Sequence, residues 1–195
     1  EALSAMKNHD TASLLQIDID GFKLINDAFG NAVGDQFLRE FADFLTAMLQ
    51  GLTFTQEGKG GASVVGRLGG DEFGLFLPGA SSAAAFDFAE SIRLDVENSI
   101  FLGGTVRVTV SIGLVEVPKH GTSSAELFAK SNAATAAAKE SGQNRCSVYQ
   151  QGDRYLHEVH SSLETKQMII KALDEDRFVP WFQPILNLRT GLVGH

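Results

Sequence analysis

Short apolar runs rich in β-branched residues alternate along this chain with longer stretches whose apolar residues recur every three or four positions. Residues 13–19 read as a buried strand ending in carboxylates. From Gly21 the pattern turns helical, with Phe22, Ile25 and Phe29 on one face and Asp20 a chemically good N-cap. Gly30 to Asp35 reads as a turn, after which Phe37, Phe41, Phe44, Leu45 and Met48 form the stripe of a helix lying on a sheet. Gly51 to Gly61 is a Gly-rich polar loop. It enters two short β-prone runs flanking Gly69-Gly70-Asp71-Glu72, a hairpin that presents acidic groups at its tip. Ser81 to Ile100 carries Phe86, Ala89, Ile92 and Val96 at helical spacing, a second sheet-covering helix. Thr105 to Val117 alternates as a strand, with Arg107, Thr109 and Ser111 sharing one face. Thr122 to Glu140 reads as a third long helix, started at Ser123 or Ser124 and stopped by Gly142; Cys146 to Tyr149 closes the series as a short strand.

The order β-α-β-β-α-β, with an added helix before the last strand, predicts an α+β fold: helices over a largely antiparallel sheet of the ferredoxin-like or polymerase-palm class. At 195 residues the chain has room for one large domain or for one domain plus a fragment. The expected division is a main domain over 1–150, a connecting helix over 151–176 and a further segment over 177–195. The 44% apolar content suits a globular core. A net charge of -8 excludes a broad nucleic-acid or anionic-membrane surface, which needs clustered Lys and Arg, while leaving room for a nucleotide triphosphate met by metal ions and a few local cations. The lone Cys146 forms no internal disulfide, reads as a small buried hydrophobe, and fits a reducing, cytoplasmic compartment. No run is long enough to span a membrane. The chain begins at Glu1 without Met, so it reads as a segment of a longer protein whose membrane attachment stays open.

Two acidic clusters carry the candidate chemistry. In Leu14-Leu15-Gln16-Ile17-Asp18-Ile19-Asp20, the two carboxylates are two residues apart and share a strand face. Asp71 and Glu72 add two more at the hairpin tip. Hard oxygen ligands at two strand ends make a divalent-metal site, with Asp18 the better ligand and Asp20 the helix cap.

Gly69-Gly70-Asp71-Glu72-Phe73 is the signature pentapeptide of the GGDEF family, the diguanylate cyclases, and the chain resembles that family well beyond it. Asp18-Ile19-Asp20-Gly21-Phe22-Lys23, Asn26-Asp27, Gly34-Asp35, Ser111-Ile112-Gly113 and Ala138-Lys139 with Gly142 and Asn144 follow in the family's order, over about residues 14 to 146. The resemblance implies condensation of two GTP into cyclic di-GMP with release of two pyrophosphates, one GTP held by each subunit of a facing homodimer. It implies Mg²⁺, two ions per GTP site with Mn²⁺ an acceptable substitute, held by Asp18, the Ile19 carbonyl and Asp71. Asp71 matches the position that deprotonates the attacking hydroxyl, and Glu72 is a further metal or orienting group. Asn26 and Asp35 match the guanine readers; Phe22, Lys23 and Lys139 match positions that meet the phosphates, Lys23 also being placed with the catalytic set.

The chain departs from the family at four places. Gln143 stands where an Arg usually follows the glycine, Asn31 replaces a His, and Ser131-Asn132-Ala133-Ala134-Thr135-Ala136 replaces an Ala-Asp-x-Ala-Leu-Tyr run. Gly60-Gly61-Ala62-Ser63 replaces the Arg-x-x-Asp of the family's product-inhibition site, so no tight feedback binding is expected there. Residues 177–194 resemble the opening strand and hairpin of the EAL family of cyclic di-GMP phosphodiesterases and stop where its Glu-Ala-Leu is expected. Three rivals to the cyclase stay open: a GTP-binding regulatory module controlling an attached phosphodiesterase, a general nucleotide cyclase or palm-type polymerase, and a structural domain.

Overall fold

The computed structural model describes residues 11–50, 52, 54, 62–150, 171, 175, 185–186 and 193–194. The chain divides into two compact units, residues 1–156 and 157–195. The first contains strands β1 (Ala12–Ile19), β2 (Val64–Gly69), β3 (Glu72–Pro78), β4 (Val110–Val117) and β5 (Arg145–Val148). Its helices are α1 (Phe22–Phe29), α2 (Asn31–Leu49), α3 (Ser82–Asn98) and α4 (Ser124–Glu140).

The sheet order is β2-β3-β1-β4-β5. Its first four strands have ferredoxin-like connectivity, with the β1–β3, β1–β4 and β2–β3 pairings antiparallel. The last strand adds in parallel to β4 through the α4 crossover. Every residue of β1 is buried, as befits the central strand of a sheet covered on both faces. Alternation along β1 sorts the two faces. Leu15, Ile17 and Ile19 belong to the larger core with α1, α2 and α3. Leu14 belongs to a smaller one with Leu127, Ala133 and Ala134 of α4. In the larger core Phe37 and Phe41 stack at 5.9 Å and both contact Phe101, so one aromatic cluster ties α2 to the loop after α3.

Polar residues close the α4 layer. Gln16, on the face shared with Leu14, accepts a hydrogen bond from Ser131 Oγ at 2.8 Å and bonds to Asn132; Thr135 Oγ1 donates to the Gln16 carbonyl at 3.3 Å. The departures at Ser131, Asn132 and Thr135 therefore serve a buried polar residue of β1, which would otherwise be desolvated without partners. A Cβ on Gly113 would collide with the Ser131 carbonyl and with the Thr135 amide and hydroxyl. Glycine is what lets α4 lie this close to β4.

Several boundaries differ from the sequence reading. Gly30, at φ 84, makes the whole break between α1 and α2, so Asn31 to Asp35 is helix rather than turn. The expected strand from Thr105 is reduced to β4 from Val110, because Leu102, Gly103 and Gly104, all at positive φ, fold Val106 back onto Phe101 in an isolated bridge. Phe86 is only partly buried; the buried stripe of α3 runs through Ala85, Phe88, Ala89, Ile92 and Val96. Of the two candidate starts of α4 the cap is Ser123, its Oγ accepting from the Glu126 amide, and α3 is capped in the same way by Ser81, its Oγ accepting from the Ala84 amide.

In the second unit Ile185–Leu186 pairs antiparallel with Val193–Gly194, and Lys171 accepts a backbone hydrogen bond from Glu175. Most of the expected 151–176 helix and 177–195 segment lies outside the described residues.

Candidate active site

The C-terminal end of β1, the β2–β3 tip, the start of β4 and the last turn of α4 meet at one end of the sheet. Pairing places Asp18 opposite Glu72 on one side and Ser111 on the other. The hairpin turns at Gly70, which takes φ 52, and Asp71, and the Ile19 amide donates to the Asp71 carbonyl at 3.3 Å. Asp18 is buried, with Lys139 Nζ 2.5 Å from its Oδ2. Burial pushes its carboxyl up to about 6, against the pull of Lys139 and helped by the negative charges of Asp71 and Glu72. A buried carboxylate facing two others is a set of hard oxygens that favours a cation. Among the described residues no three Asp, Glu, His or Cys side chains are placed to hold an ion by themselves. A metal here would therefore combine Asp18 and Asp71 with the Ile19 carbonyl and with oxygens from its substrate.

Asp20 corrects the sequence reading: it caps no helix. The N-cap of α1 is Gly21, without a side-chain bond. The Asp20 carboxylate instead accepts from Thr109 Oγ1 and Ser111 Oγ, both at 2.7 Å, and from the Asn144 amide at 3.1 Å. Asn144 in turn binds Arg93 and Glu97 of α3. Four segments are thus fastened through one carboxylate, which fixes the β1–α1 loop directly after Asp18. Thr109 and Ser111 do share a face, as their alternation predicts; Asn144 as a third partner could be read only as a motif residue.

Asn26 and Asp35 come from neighbouring helices. A Cβ on Gly34 would collide with the Asn26 amide oxygen, so the Asn26 side chain lies directly on the residue preceding Asp35. Asn26 is half-buried and Asp35 exposed. The ring of Phe22 is core, 6.0 Å from that of Phe37, which leaves only its main-chain amide to offer a ligand, in the first turn of α1 where amides lack helical acceptors. Lys23 follows it, exposed.

A cavity of about 500 Å³ lies between α2 and β2, lined by Asp35, Arg39 and Arg67 together with Leu38, Val65 and Phe73. Neither arginine stood out in the sequence. Arg39 falls four residues after Asp35, hence on the same helix face, and that spacing was the available signal. Arg67 Nε donates to the Gly70 carbonyl at 2.9 Å, bracing the turn that carries Asp71. Cys146 is partly buried, and burial together with Glu90 pushes its thiol pKa well up, in keeping with a packing role.

A ferredoxin-like sheet with carboxylates at the end of its central strand and at the adjoining hairpin tip defines a palm-type α+β domain. The family model described as "Diguanylate cyclase, GGDEF domain" matches residues 1–145, and the chain belongs to that family. It is 34% identical over 167 residues to the probable diguanylate cyclase DgcE of Escherichia coli, covering 84% of this chain and 14% of that protein. It is 29% identical over 175 residues to the bifunctional diguanylate cyclase/cyclic di-GMP phosphodiesterase MucR of Pseudomonas aeruginosa, covering 85% and 24%. The crystal structure of the GGDEF domain of YfiN (TpbB) from Pseudomonas aeruginosa superposes with TM-score 0.66 at 31% identity, over 77% of this chain and 90% of that one. The chain spans about a quarter or less of the length of these two curated relatives.

Proposed function

We propose that this chain is a Mg²⁺-dependent diguanylate cyclase domain that condenses two GTP into cyclic di-GMP. The observation that carries the reading is the buried Asp18, set opposite Glu72 and influenced by Asp71 at one end of the sheet. The Asn26 amide resting on Gly34 beside Asp35 supplies the second half of the site.

Asp18, the Ile19 carbonyl and Asp71 would hold the metal, which when bound neutralises phosphate charge and polarises the phosphorus under attack. Asn26 and Asp35 select guanine: a carboxylate accepts from its N1 and N2 protons, and an amide meets its N3 and N2 edge. The Phe22 amide, Lys23 and Lys139 meet the phosphates. Asp71 takes the proton of the ribose 3′-hydroxyl as that oxygen bonds to the α-phosphorus of the GTP on a facing copy, and pyrophosphate leaves with the anhydride oxygen that bridged the α- and β-phosphorus. Glu72 orients this arrangement. Two such transfers close the ring, so the facing homodimer is the working unit.

Incubating the purified chain at high concentration with GTP and Mg²⁺ and separating the nucleotides by chromatography tests this reading. Cyclic di-GMP that disappears in Asp71→Ala is expected; full turnover by Asp71→Ala overturns the assignment. Equal turnover of ATP and GTP would overturn the guanine assignment.

A second reading has its own observation. Gln143, at φ 60, gives its carbonyl to Arg145 Nε at 3.2 Å and brings no cation to the phosphates. In that reading the domain binds GTP without condensing it and regulates an attached phosphodiesterase. The resemblance of 177–194 to the start of an EAL domain, and MucR, which carries both activities in its name, support a GGDEF-EAL parent with 1–150 as its cyclase domain and 151–176 as a connecting helix. GTP that alters phosphodiesterase activity of the full-length parent, with no cyclic di-GMP formed, would favour it. We place the domain in the cytoplasm; among the described residues no helix is long and apolar enough to cross a membrane.

A further inference from the structure

We infer that Lys139 is the resident counter-cation of the metal-free site, and that a divalent ion has to displace it from Asp18 before it can serve a nucleotide. The inference rests on the proposed cyclase reading and concerns how that site is kept before substrate arrives.

The Asp18 side chain is 5% exposed, and an ionised carboxylate that deep needs a partner. Lys139 is the cation paired with it, its ammonium in contact with Oδ2. The same lysine is 41% exposed and sits in the last turn of α4, on a four-carbon stem that can swing while the helix stays put. The helix does stay put, because Gly113 seats it against β4 through Ser131 and Thr135. The pairing is therefore released by side-chain rotation alone.

A divalent ion bound to Asp18 and Asp71 would occupy the neighbourhood of the ammonium. Cation repels cation at such separations, so the ion and the Asp18-bound lysine compete. A triphosphate arriving with the metal gives the displaced ammonium a new anionic partner. Metal alone is thus opposed by Lys139, whereas metal with nucleotide is assisted by it, and by linkage each raises the affinity for the other. Lys139 in this way keeps the acidic end folded and neutralised without a metal, and makes occupation cooperative.

The test is titration of the whole chain with Mn²⁺ alone, free ion being followed by electron paramagnetic resonance, in unmutated protein, Lys139→Met and Lys139→Arg. Lys139→Met, of similar length without the charge, should bind Mn²⁺ about fivefold or more tighter and bind metal-free GTP more weakly; Lys139→Arg should resemble the unmutated chain. Equal or weaker Mn²⁺ binding by Lys139→Met overturns the inference. A readout free of any folding defect uses the unmutated chain: acylation of Lys139 by an amine-reactive ester, quantified by peptide mass mapping, should accelerate several-fold on adding Mn²⁺. A rate unmoved at saturating Mn²⁺ overturns the inference and leaves the cyclase reading standing. Failure of every form to take up Mn²⁺, with or without GTP, overturns both.

Discussion

Asp18 shows at the scale of one residue how a site can work against the fold that carries it. A carboxyl pushed up to about 6 from an ordinary 3.8 is ionised at neutral pH only at a cost, and the lysine that offsets part of it is itself open to solvent. Replacing Asp18 by Asn removes the buried charge and leaves Lys139 free to hydrate. Asp18→Asn is therefore expected to stabilise the chain in EDTA at pH 7.5, by about 1–3 kcal/mol in urea unfolding, while abolishing cyclic di-GMP formation. Loss of stability in that variant would mean that the ion pair outweighs the desolvation. Asp20, two residues on, is the opposite case: its three hydrogen bonds hold the loop, and its carboxylate is spent on structure.

Between elements, the informative contact is α1 against α2. Gly34 is the point at which the second helix makes room for Asn26, and the obstacle to a Cβ there is the end of a flexible side chain rather than backbone. Gly34→Ala should therefore fold with stability changed by less than about 1 kcal/mol, yet turn the Asn26 amide away from Asp35. The expected kinetic signature is a KM for GTP raised about tenfold with kcat nearly unchanged, the mark of lost uniform binding. An unchanged KM would remove Asn26 from the proposed guanine site. Asn26 and Asp35 could be picked out in the sequence by motif spacing, but Asn31 to Asp35 reads as a turn there because its polar residues look like a loop. That one glycine at φ 84 suffices for the reversal emerges only when both helices are packed on the sheet. Arg67 and Arg39 went unread for a related reason: the cavity they line belongs to the space between α2 and β2, and neither segment contains it alone.

For the whole molecule, the family's feedback site offers the sharpest contrast. Gly60-Gly61-Ala62-Ser63 carries no cation or carboxylate with which to grip a cyclic dinucleotide. Cyclase progress curves are accordingly expected to show no inhibition by added cyclic di-GMP acting through this loop. Titration of the product by calorimetry should give the same weak or absent binding when Gly60, Gly61 and Ser63 are replaced by alanine. A tight complex lost on that replacement would contradict the prediction.

Taken alone, the sequence determined the order of elements, the start of α4 at Ser123 or Ser124, a buried first strand and the two acidic clusters. Each is a local property: periodicity, a capping side chain or an apolar run is complete within a few neighbours in the chain. Tertiary structure alone decided the use of each carboxylate. Asp18 and Asp20 have the same local context, yet one lies against Lys139 of α4 and the other is enclosed by Thr109, Ser111 and Asn144. Those partners stand 89 to 124 residues away from Asp20 and more than a hundred from Asp18. Charge, burial and partner are set by what the sheet brings across from distant parts of the chain, and no local pattern encodes that.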